Sequence, residues 1–182
     1  MQCQEGEIMA KVLNYGMVGG GPDAFIGDAH RRAISLDESA RLVAGVFSRN
    51  AEKSKKMGEV LHIEEERCYK DYETMALEEA KREDGIDFVV VVTPNASHYE
   101  ICKAFLNAGI HVVCDKPVTT TYEKAVELQK LAEEKSLLFM VTYTYMGHVT
   151  AKYARDLIAS GAIGDVRAVM AEYPQGWLAF ED

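Results

Sequence analysis

Apolar segments of strand length alternate with segments of helix length along most of the chain, and this alternation constrains the fold more than any other feature. The segment Asp87–Val92 is apolar at every position after its first residue. Such a run is typical of a strand buried on both faces of a parallel sheet. Strands that alternate with helices of this length indicate βαβ units. We therefore predict an α/β fold, a doubly wound parallel sheet with helices on both faces.

The predicted sheet has six strands in the spatial order 3-2-1-4-5-6, which is typical of a Rossmann dinucleotide-binding domain. In chain order the strands are Leu13–Val18, Arg41–Phe47, a very short Arg67–Tyr69, Asp87–Val92, His111–Cys114 and Leu138–Thr142. Capping-box patterns predict two helix starts, one at Ser97 with Glu100 and the other at Thr120 with Glu123.

The C-terminal residues follow a different pattern. Val149–Ser160 predicts a helix, and Asp165–Tyr173 alternates as a strand does. The apolar residues that follow this strand are Trp177, Leu178 and Phe180. We expect residues 1–145 to form the dinucleotide-binding domain. We expect residues 146–182 to form a linker helix and the truncated start of an α+β second domain.

Composition narrows the class of protein and its partners. Apolar residues make up 48% of the 182-residue chain and the net charge is −9, which is typical of a globular protein and disfavours nucleic-acid binding. No apolar run approaches membrane-spanning length, and no secretory signal is visible. The four cysteines match no zinc pattern, so we expect reduced thiols, no metal site and a cytoplasmic location.

A glycine-rich turn follows the first predicted strand. Gly19-x-Gly21-x-x-Ala24 fits the fingerprint in which one glycine permits a tight turn and the next lets a pyrophosphate approach the backbone. The helix that follows directs its N–H groups at the phosphates. Either Ala24 or Gly27 occupies the position that packs the helix against the strand. We expect a nicotinamide dinucleotide to bind here, and the alternative is a plain surface turn.

The end of the second strand bears on the choice of cofactor. It lacks the acidic residue that binds the ribose 2′-hydroxyl of NAD. Ser48 can instead donate a hydrogen bond to a 2′-phosphate, and Arg49 can neutralise it. The cofactor is therefore NADP or NAD, with NADP slightly preferred. The alternative is that Ser48 or Asn50 only caps the next helix while Arg49 is solvated.

Ligands of an open parallel sheet lie beyond the carboxyl ends of its strands. Two further strand ends carry polar residues and prolines there. These residues are Thr93, Pro94, Asn95 and His98 after one strand, and Asp115, Lys116 and Pro117 after the next. We predict that both sets contact the cofactor.

Four motifs, taken in chain order, resemble those of the Gfo/Idh/MocA family, named after glucose-fructose oxidoreductase and inositol dehydrogenase. They are Gly16-x-x-Gly19-x-Gly21 with Gly27-x-x-His30, then Thr93-Pro94-Asn95-x-x-His98, then Asp115-Lys116-Pro117, and finally Gly161-x-x-Gly164-Asp165-Val166. The resemblance spans nearly the whole chain. It implies a two-domain NAD(P)-dependent oxidoreductase that acts on sugars, polyols or related hydroxy compounds, and a homo-oligomer in the full-length form.

The resemblance also implies a role for Lys116, which matches the family's lysine beside the nicotinamide and the substrate hydroxyl. A partly desolvated lysine ammonium can polarise a carbonyl and join a proton relay, so Lys116 is the predicted catalytic residue. Asp115 replaces the usual Glu, and Tyr143-Thr144-Tyr145 stands where many members carry Asn-Arg. The family's downstream Asp and His have no counterpart, so we expect this fragment alone to be inactive.

Two other functions remain open at this level. A non-catalytic dinucleotide-binding regulator or partner-binding module would use the same fold, because folds do not fix functions. A methyltransferase would use a similar glycine turn, but it would not need the loop that carries Lys116.

Overall fold

The computed structural model describes residues 11–22, 24–174 and 176, and it confirms the parallel α/β sheet. Five strands lie in the order β2-β1-β3-β4-β5, and every neighbouring pair is parallel. The strands are β1 Leu13–Gly19, β2 Ala40–Val46, β3 Phe88–Val92, β4 His111–Cys114 and β5 Phe139–Val141. The helices are α1 Phe25–Ser35, α2 Ala51–Val60, α3 Tyr72–Glu79, α4 His98–Asn107, α5 Tyr122–Glu134 and α6 Val149–Ala159.

The very short strand predicted at Arg67–Tyr69 is wrong as a strand. Only Cys68 forms a bridge, to Gly45 of β2, and Tyr69 N donates to Gly45 O at 2.9 Å. The preceding residues, Glu65–Arg67, form a 3-10 turn, so the backbone cannot extend along β2 for more than one residue. The remaining five strands keep their predicted spatial order.

The helices cover both faces of the sheet, as the doubly wound prediction requires. One apolar cluster joins the sheet to α3, α4 and α5, and its largest fully buried side chain is Phe105. The other cluster contains Met17 and Phe47 and receives Ile26 and Ile34 from α1. Because β3 lies in the middle of the sheet, residues 89–92 are buried against both clusters.

One of the two predicted helix starts is confirmed and the other needs correction. Ser97 is the N-cap residue of α4, as predicted, but its side chain does not cap the helix, because its hydroxyl lies 2.7 Å from Pro94 O instead. The α5 cap is Thr121, one residue later than predicted, and its hydroxyl accepts from Lys124 N at 3.5 Å. At α5 the capping-box pattern thus indicates a helix but not its first residue.

The chain divides into two compact units, with the boundary between Thr142 and Tyr143. In the second unit α6 forms as predicted, but residues 166–174 have no regular secondary structure, so the strand predicted at Asp165–Tyr173 is wrong. No described strand pairs with this segment, and a strand needs a hydrogen-bonding partner. The predicted apolar tail Trp177, Leu178 and Phe180 lies outside the described residues. The assignment of the two units as domains stays a prediction.

Among residues 11–22 and 24–174, no helix is both long enough and apolar enough to cross a membrane.

Candidate functional site

The turn after β1 is built by glycines with distinct roles. Gly19 and Gly20 have φ values of 94° and 70°, a left-handed conformation that favours glycine. A Cβ on Gly21 would lie 2.5 Å from Phe47 O, so only glycine lets the turn pass the end of β2. A Cβ on Gly27 would lie 2.4 Å from Gly20 Cα. Gly27 is therefore the residue that packs α1 against the turn.

The packing of Gly27 settles the alternative that the sequence left open. Ala24 precedes the first residue of α1, and its backbone N donates to Gly21 O at 3.0 Å. Asp28 in the first turn of α1 pairs with Arg32 at 2.8 Å. The helix thus begins directly behind the glycine turn, with its positive end toward the carboxyl edge of the sheet, where a pyrophosphate would be stabilised.

Arg31 stabilises this turn and was missed by the sequence analysis. Its Nη1 donates to Gly20 O at 3.0 Å and lies 3.5 Å from Met17 Sδ. The guanidinium thus ties α1 to the turn from behind. Its position two turns into an amphipathic helix gives no sequence signal for this contact, because an exposed arginine would fit the same pattern.

A groove of about 710 Å³ opens at the carboxyl ends of β1, β2 and β3. Its lining includes the predicted residues Gly19, Gly21, Ser48, Arg49, Thr93 and Pro94. Three loops that are distant in sequence therefore meet in one concave surface, which is the arrangement expected of a dinucleotide site.

The residues that follow β2 fit both interpretations that the sequence allowed, capping of the next helix and binding of a ligand. Asn50 does cap α2, because its Oδ1 accepts from Lys53 N at 3.0 Å. Ser48 Oγ accepts from Asn50 N at 3.1 Å, and its hydroxyl hydrogen can still be donated to a ligand. Arg49 is exposed and lines the groove. Capping and ligand binding are thus compatible at this strand end.

Two further cations line the same part of the groove, Lys53 on α2 and Lys70 after the Cys68 bridge. Lys70 lies 3.8 Å from Asp71, which also lines the groove. Lys53 lies in the first turn of α2, and Arg49 directly precedes the Asn50 cap of that helix. The sequence analysis singled out neither Lys53 nor Lys70.

Asp115 is held from both sides, although it is shorter than the family's usual glutamate. Its Oδ1 accepts from Thr142 Oγ1 at 2.9 Å and lies 3.5 Å from His30 Nε2. Its backbone N donates to Val91 O at 2.9 Å. The carboxylate thus joins α1 to the ends of β4 and β5 and fixes the start of the loop that carries Lys116.

Lys116 and Pro117 are exposed, and the peptide bond between them is cis. Asn95 is exposed as well, and none of the three lines the groove. They lie at the same carboxyl edge, because Cys114 of β4 pairs with Val91 of β3. The described residues do not desolvate Lys116, so the expected partial burial of its ammonium is absent in this chain.

His98 does not face the groove, contrary to the prediction. Its side chain is 0% exposed, and its ring lies behind the loops, between Thr93 O and Pro117 O. A fully buried ring cannot contact a cofactor in this arrangement.

No group of three His, Cys, Asp or Glu side chains within residues 11–22 and 24–174 is placed to hold a metal ion.

The model of the Gfo/Idh/MocA family, described as an oxidoreductase family with an NAD-binding Rossmann fold, matches residues 13–143. The chain is 44% identical over 176 residues to the uncharacterized oxidoreductase YfiI of Bacillus subtilis, which covers 96% of this chain and 45% of that protein. The chain therefore belongs to the Gfo/Idh/MocA oxidoreductase family, and it spans about half the length of the curated relatives it matches.

Two other relatives differ in the cofactor that their names give. The crystal structure of an inositol dehydrogenase homologue from Azotobacter vinelandii, in complex with NADH and myo-inositol, has a TM-score of 0.84 and 42% identity, over 87% of this chain and 42% of that one. The scyllo-inositol 2-dehydrogenase (NADP(+)) IolW of Bacillus subtilis is 34% identical over 97 residues, 53% of this chain and 27% of that protein.

Membership of this family decides against a methyltransferase. The family's fold is an NAD-binding Rossmann fold, which fits the glycine turn between β1 and α1.

Proposed function

We propose that this chain is the nucleotide-binding part of an NAD(P)-dependent dehydrogenase that transfers a hydride to or from a sugar, polyol or related hydroxy compound. One observation carries the proposal. The glycine turn in front of α1 and the exposed Lys116 lie at the same edge of one sheet, so that a dinucleotide bound at the turn could reach toward the lysine.

The residues of the groove fit the parts of a dinucleotide. Gly19, Gly20 and Gly21 leave the backbone open to a pyrophosphate, and α1 adds its positive end. Thr93 and Pro94 continue the groove on the β3 side, toward the loop of Lys116. When bound, the nicotinamide ring supplies the hydride acceptor or donor.

Lys116 would act on the substrate oxygen. Its ammonium can donate a hydrogen bond to a hydroxyl or carbonyl oxygen and stabilise the charge that develops there during hydride transfer. Asp115 keeps the start of the loop in place through Thr142 and His30. The names of the inositol dehydrogenase relatives support a polyol as substrate class.

The cations at the end of β2 favour NADP. Arg49, Lys53 and Lys70 line the groove together with Ser48, and they would neutralise a 2′-phosphate bound there. Asp71 and Glu73 also line this part of the groove and oppose the preference. Because three cations outnumber two carboxylates, we propose that NADP binds more tightly than NAD by about tenfold, the equivalent of one charge-assisted hydrogen bond.

Calorimetric titration of the chain with NADPH and NADH tests both levels of the proposal. Arg49→Ala should remove most of the difference between the two cofactors, while the control Arg167→Ala, an exposed arginine of the second unit, should leave it unchanged. Binding of neither cofactor would refute the dinucleotide site. Equal affinities would refute only the NADP preference.

Turnover is tested separately with a panel of polyols. In the whole protein, Lys116→Met should abolish reduction of the cofactor and leave its binding intact. Binding without turnover of any polyol, sugar or hydroxy acid by the whole protein would favour a non-catalytic dinucleotide-binding regulator. Light scattering of the same protein tests the predicted homo-oligomer.

A further inference from the structure

The ring of His98 lies between two loops that serve the site. Its Nε2 is 2.8 Å from Thr93 O, and its Nδ1 is 2.9 Å from Pro117 O. Thr93 lines the groove, and Pro117 directly follows Lys116. One side chain thus connects the loop after β3 to the loop after β4, at the first residue of α4.

Both partners of the ring are carbonyl oxygens, which only accept hydrogen bonds. A neutral imidazole carries one N–H, so its other nitrogen would direct a lone pair at an oxygen less than 3 Å away. Both contacts are favourable only when both nitrogens carry protons. The geometry therefore favours a charged imidazolium at a site where the side chain is 0% exposed.

A buried cation is stabilised by a compensating group, and the Cys114 sulfur hydrogen-bonds to His98. Burial lowers the pKa of His98, but hydrogen bonding to Cys114 and to the two carbonyls outweighs it and raises the pKa to about 9. Cys102, one helical turn after His98, donates to the Cys114 sulfur and lowers the pKa of Cys114. The same contact raises the pKa of Cys102.

The other groups around the sulfur are few. Asp115 raises the pKa of Cys114, although less than Cys102 and His98 lower it. Cys114 Sγ also lies 3.3 Å from Asp115 O, a contact that a thiol would make as a donor and a thiolate would not. Whether His98 and Cys114 form a charged pair is therefore open to direct measurement.

We propose that His98 is a positioning residue, an imidazolium that donates to the Thr93 and Pro117 carbonyls and thereby holds the groove wall and the Lys116 loop at a fixed separation. The inference rests on the proposed function for its consequence, because only a bound dinucleotide would touch both loops. The protonation state and the loop contacts do not depend on that function.

The protonation state is measured by long-range ¹H–¹⁵N NMR correlation on the full chain labelled at histidine. We expect both ring nitrogens of His98 to carry protons at pH 7. Cys114→Ser, which removes the sulfur whose hydrogen bond raises the pKa of His98, should lower the pH at which the second proton leaves by about one unit or more. A single ring proton at pH 7 would overturn the imidazolium.

The positioning role is measured with a graded pair of variants. His98→Gln keeps one donor and His98→Leu keeps none, so we expect NADPH affinity to fall about tenfold in the first and further in the second. The control is His62→Asn, at an exposed position with φ of 57° that asparagine tolerates. If Gln and Leu weaken binding equally, the ring only fills space and the proposal is wrong.

Failure of the proposed function gives a different result. If the wild-type chain binds neither NADPH nor NADH, the dinucleotide proposal fails, while the ring protons and the amide NMR signals of Thr93, Lys116 and Val118 still test the connection between the loops. Movement of these signals in His98→Gln, but not in His62→Asn, supports it. If either His98 variant fails to fold, the wild-type and Cys114→Ser titrations still decide the charge.

Discussion

The two ends of the sheet differ in how their charged groups are used. At the amino-terminal end the charges pair with one another. Arg67 and Glu79 form a buried bidentate contact at 2.5 and 3.0 Å, and Asn14 donates to the backbone carbonyls of Asp84 and Gly85. At the carboxyl-terminal end Arg49 and Lys116 are exposed at the loops that follow the strands. One end therefore stabilises the fold, and the other is available to ligands.

This difference predicts which substitutions should change stability and which should change ligand binding. Removing a partner from a closed, buried ion pair leaves an uncompensated charge and costs stability. Removing an exposed cation from a ligand groove costs stability little, and its effect should be on binding. Substitutions of charged residues at the amino-terminal end should therefore change mainly the free energy of unfolding, and those at the carboxyl-terminal end mainly the cofactor affinity.

Glu79→Ala should cause the largest loss of stability at the amino-terminal end of the sheet. The side chain of Glu79 is fully buried, and it accepts from Arg67 and from Tyr69 Oη at 2.8 Å. Its removal leaves the buried Arg67 guanidinium with only the longer carboxylate contact to Asp84, at 3.4 Å, so we expect the free energy of unfolding to fall by about 3 kcal/mol. Urea denaturation measures the loss, and NADPH affinity of the folded protein should stay unchanged.

The matched control is Glu78→Ala on the same helix. Glu78 is exposed and pairs only with Lys81 among the contacts that the structure describes, so its removal should cost less than about 0.5 kcal/mol. Replacing both buried partners, Arg67→Met with Glu79→Leu, should restore much of the stability lost in Glu79→Ala. A loss in Glu79→Ala no larger than in Glu78→Ala would remove the contrast between the two ends.

Gly27→Ala tests the carboxyl-terminal end with the next largest effect. Its Cβ would lie 2.4 Å from Gly20 Cα, a backbone atom that cannot move aside without shifting the turn. We expect a loss of about 1–3 kcal/mol in stability and at least a tenfold loss in dinucleotide affinity. The control is Gly147→Ala, where an added Cβ meets nothing within 4 Å. Unchanged affinity in Gly27→Ala would show that the turn does not hold the pyrophosphate.

Asn50 allows stability and binding to be separated at one residue. Asn50→Ala removes the α2 cap and should cost about 1 kcal/mol in the free energy of unfolding. Asn50→Asp keeps the accepting oxygen but places a negative charge beside Arg49, so stability should hold while NADPH affinity falls severalfold and NADH affinity changes less. An equal loss for both cofactors would argue against a 2′-phosphate site at this strand end.

The sequence predicted the parts of this molecule that depend on local pattern. The apolar run of β3 and the glycine turn needed no partner to be recognised, and both formed where predicted. The strand predicted at Arg67–Tyr69 is wrong because the side chain of Arg67 points inward and pairs with Glu79, twelve residues away. The strand predicted at Asp165–Tyr173 failed because alternation indicates a strand only where another strand can pair with it.

The site divides in the same way. Residues that follow strands directly, such as Ser48 and Thr93, were found because strand ends mark ligand sites in parallel sheets. Arg31 and Lys70 were missed because tertiary contacts alone bring them to the turn and the groove. His98 was found but misassigned, since no sequence pattern shows whether a ring near a strand end faces the ligand or the core.

The smallest expected effect is the pH dependence of stability that Asp87 contributes at the amino-terminal end of the sheet. Asp87 accepts from Asn14 N at 2.7 Å and from Lys11 Nζ at 2.8 Å. Although burial raises the pKa of Asp87, these two partners outweigh it and the net pKa is lowered. A carboxylate with a lowered pKa stabilises the folded state above the unfolded value of about 3.9, and that stability is lost as the pH falls through the folded value.

Asp87→Asn keeps an oxygen for Asn14 N but loses the charge, so it should cost about 0.5 kcal/mol at pH 7, as a partly exposed ion pair does. The difference from wild type should shrink as the pH falls below the unfolded value of about 3.9 and vanish once the wild-type carboxyl is protonated too. Urea denaturation at a series of pH values measures it. The same series on Lys116→Met should show no difference at any pH, since Lys116 is exposed and forms no ion pair with any of the described residues. A pH-dependent difference in Lys116→Met would mean that the carboxyl-terminal end also contributes paired charge to stability, and that the two ends are less distinct than their contacts indicate.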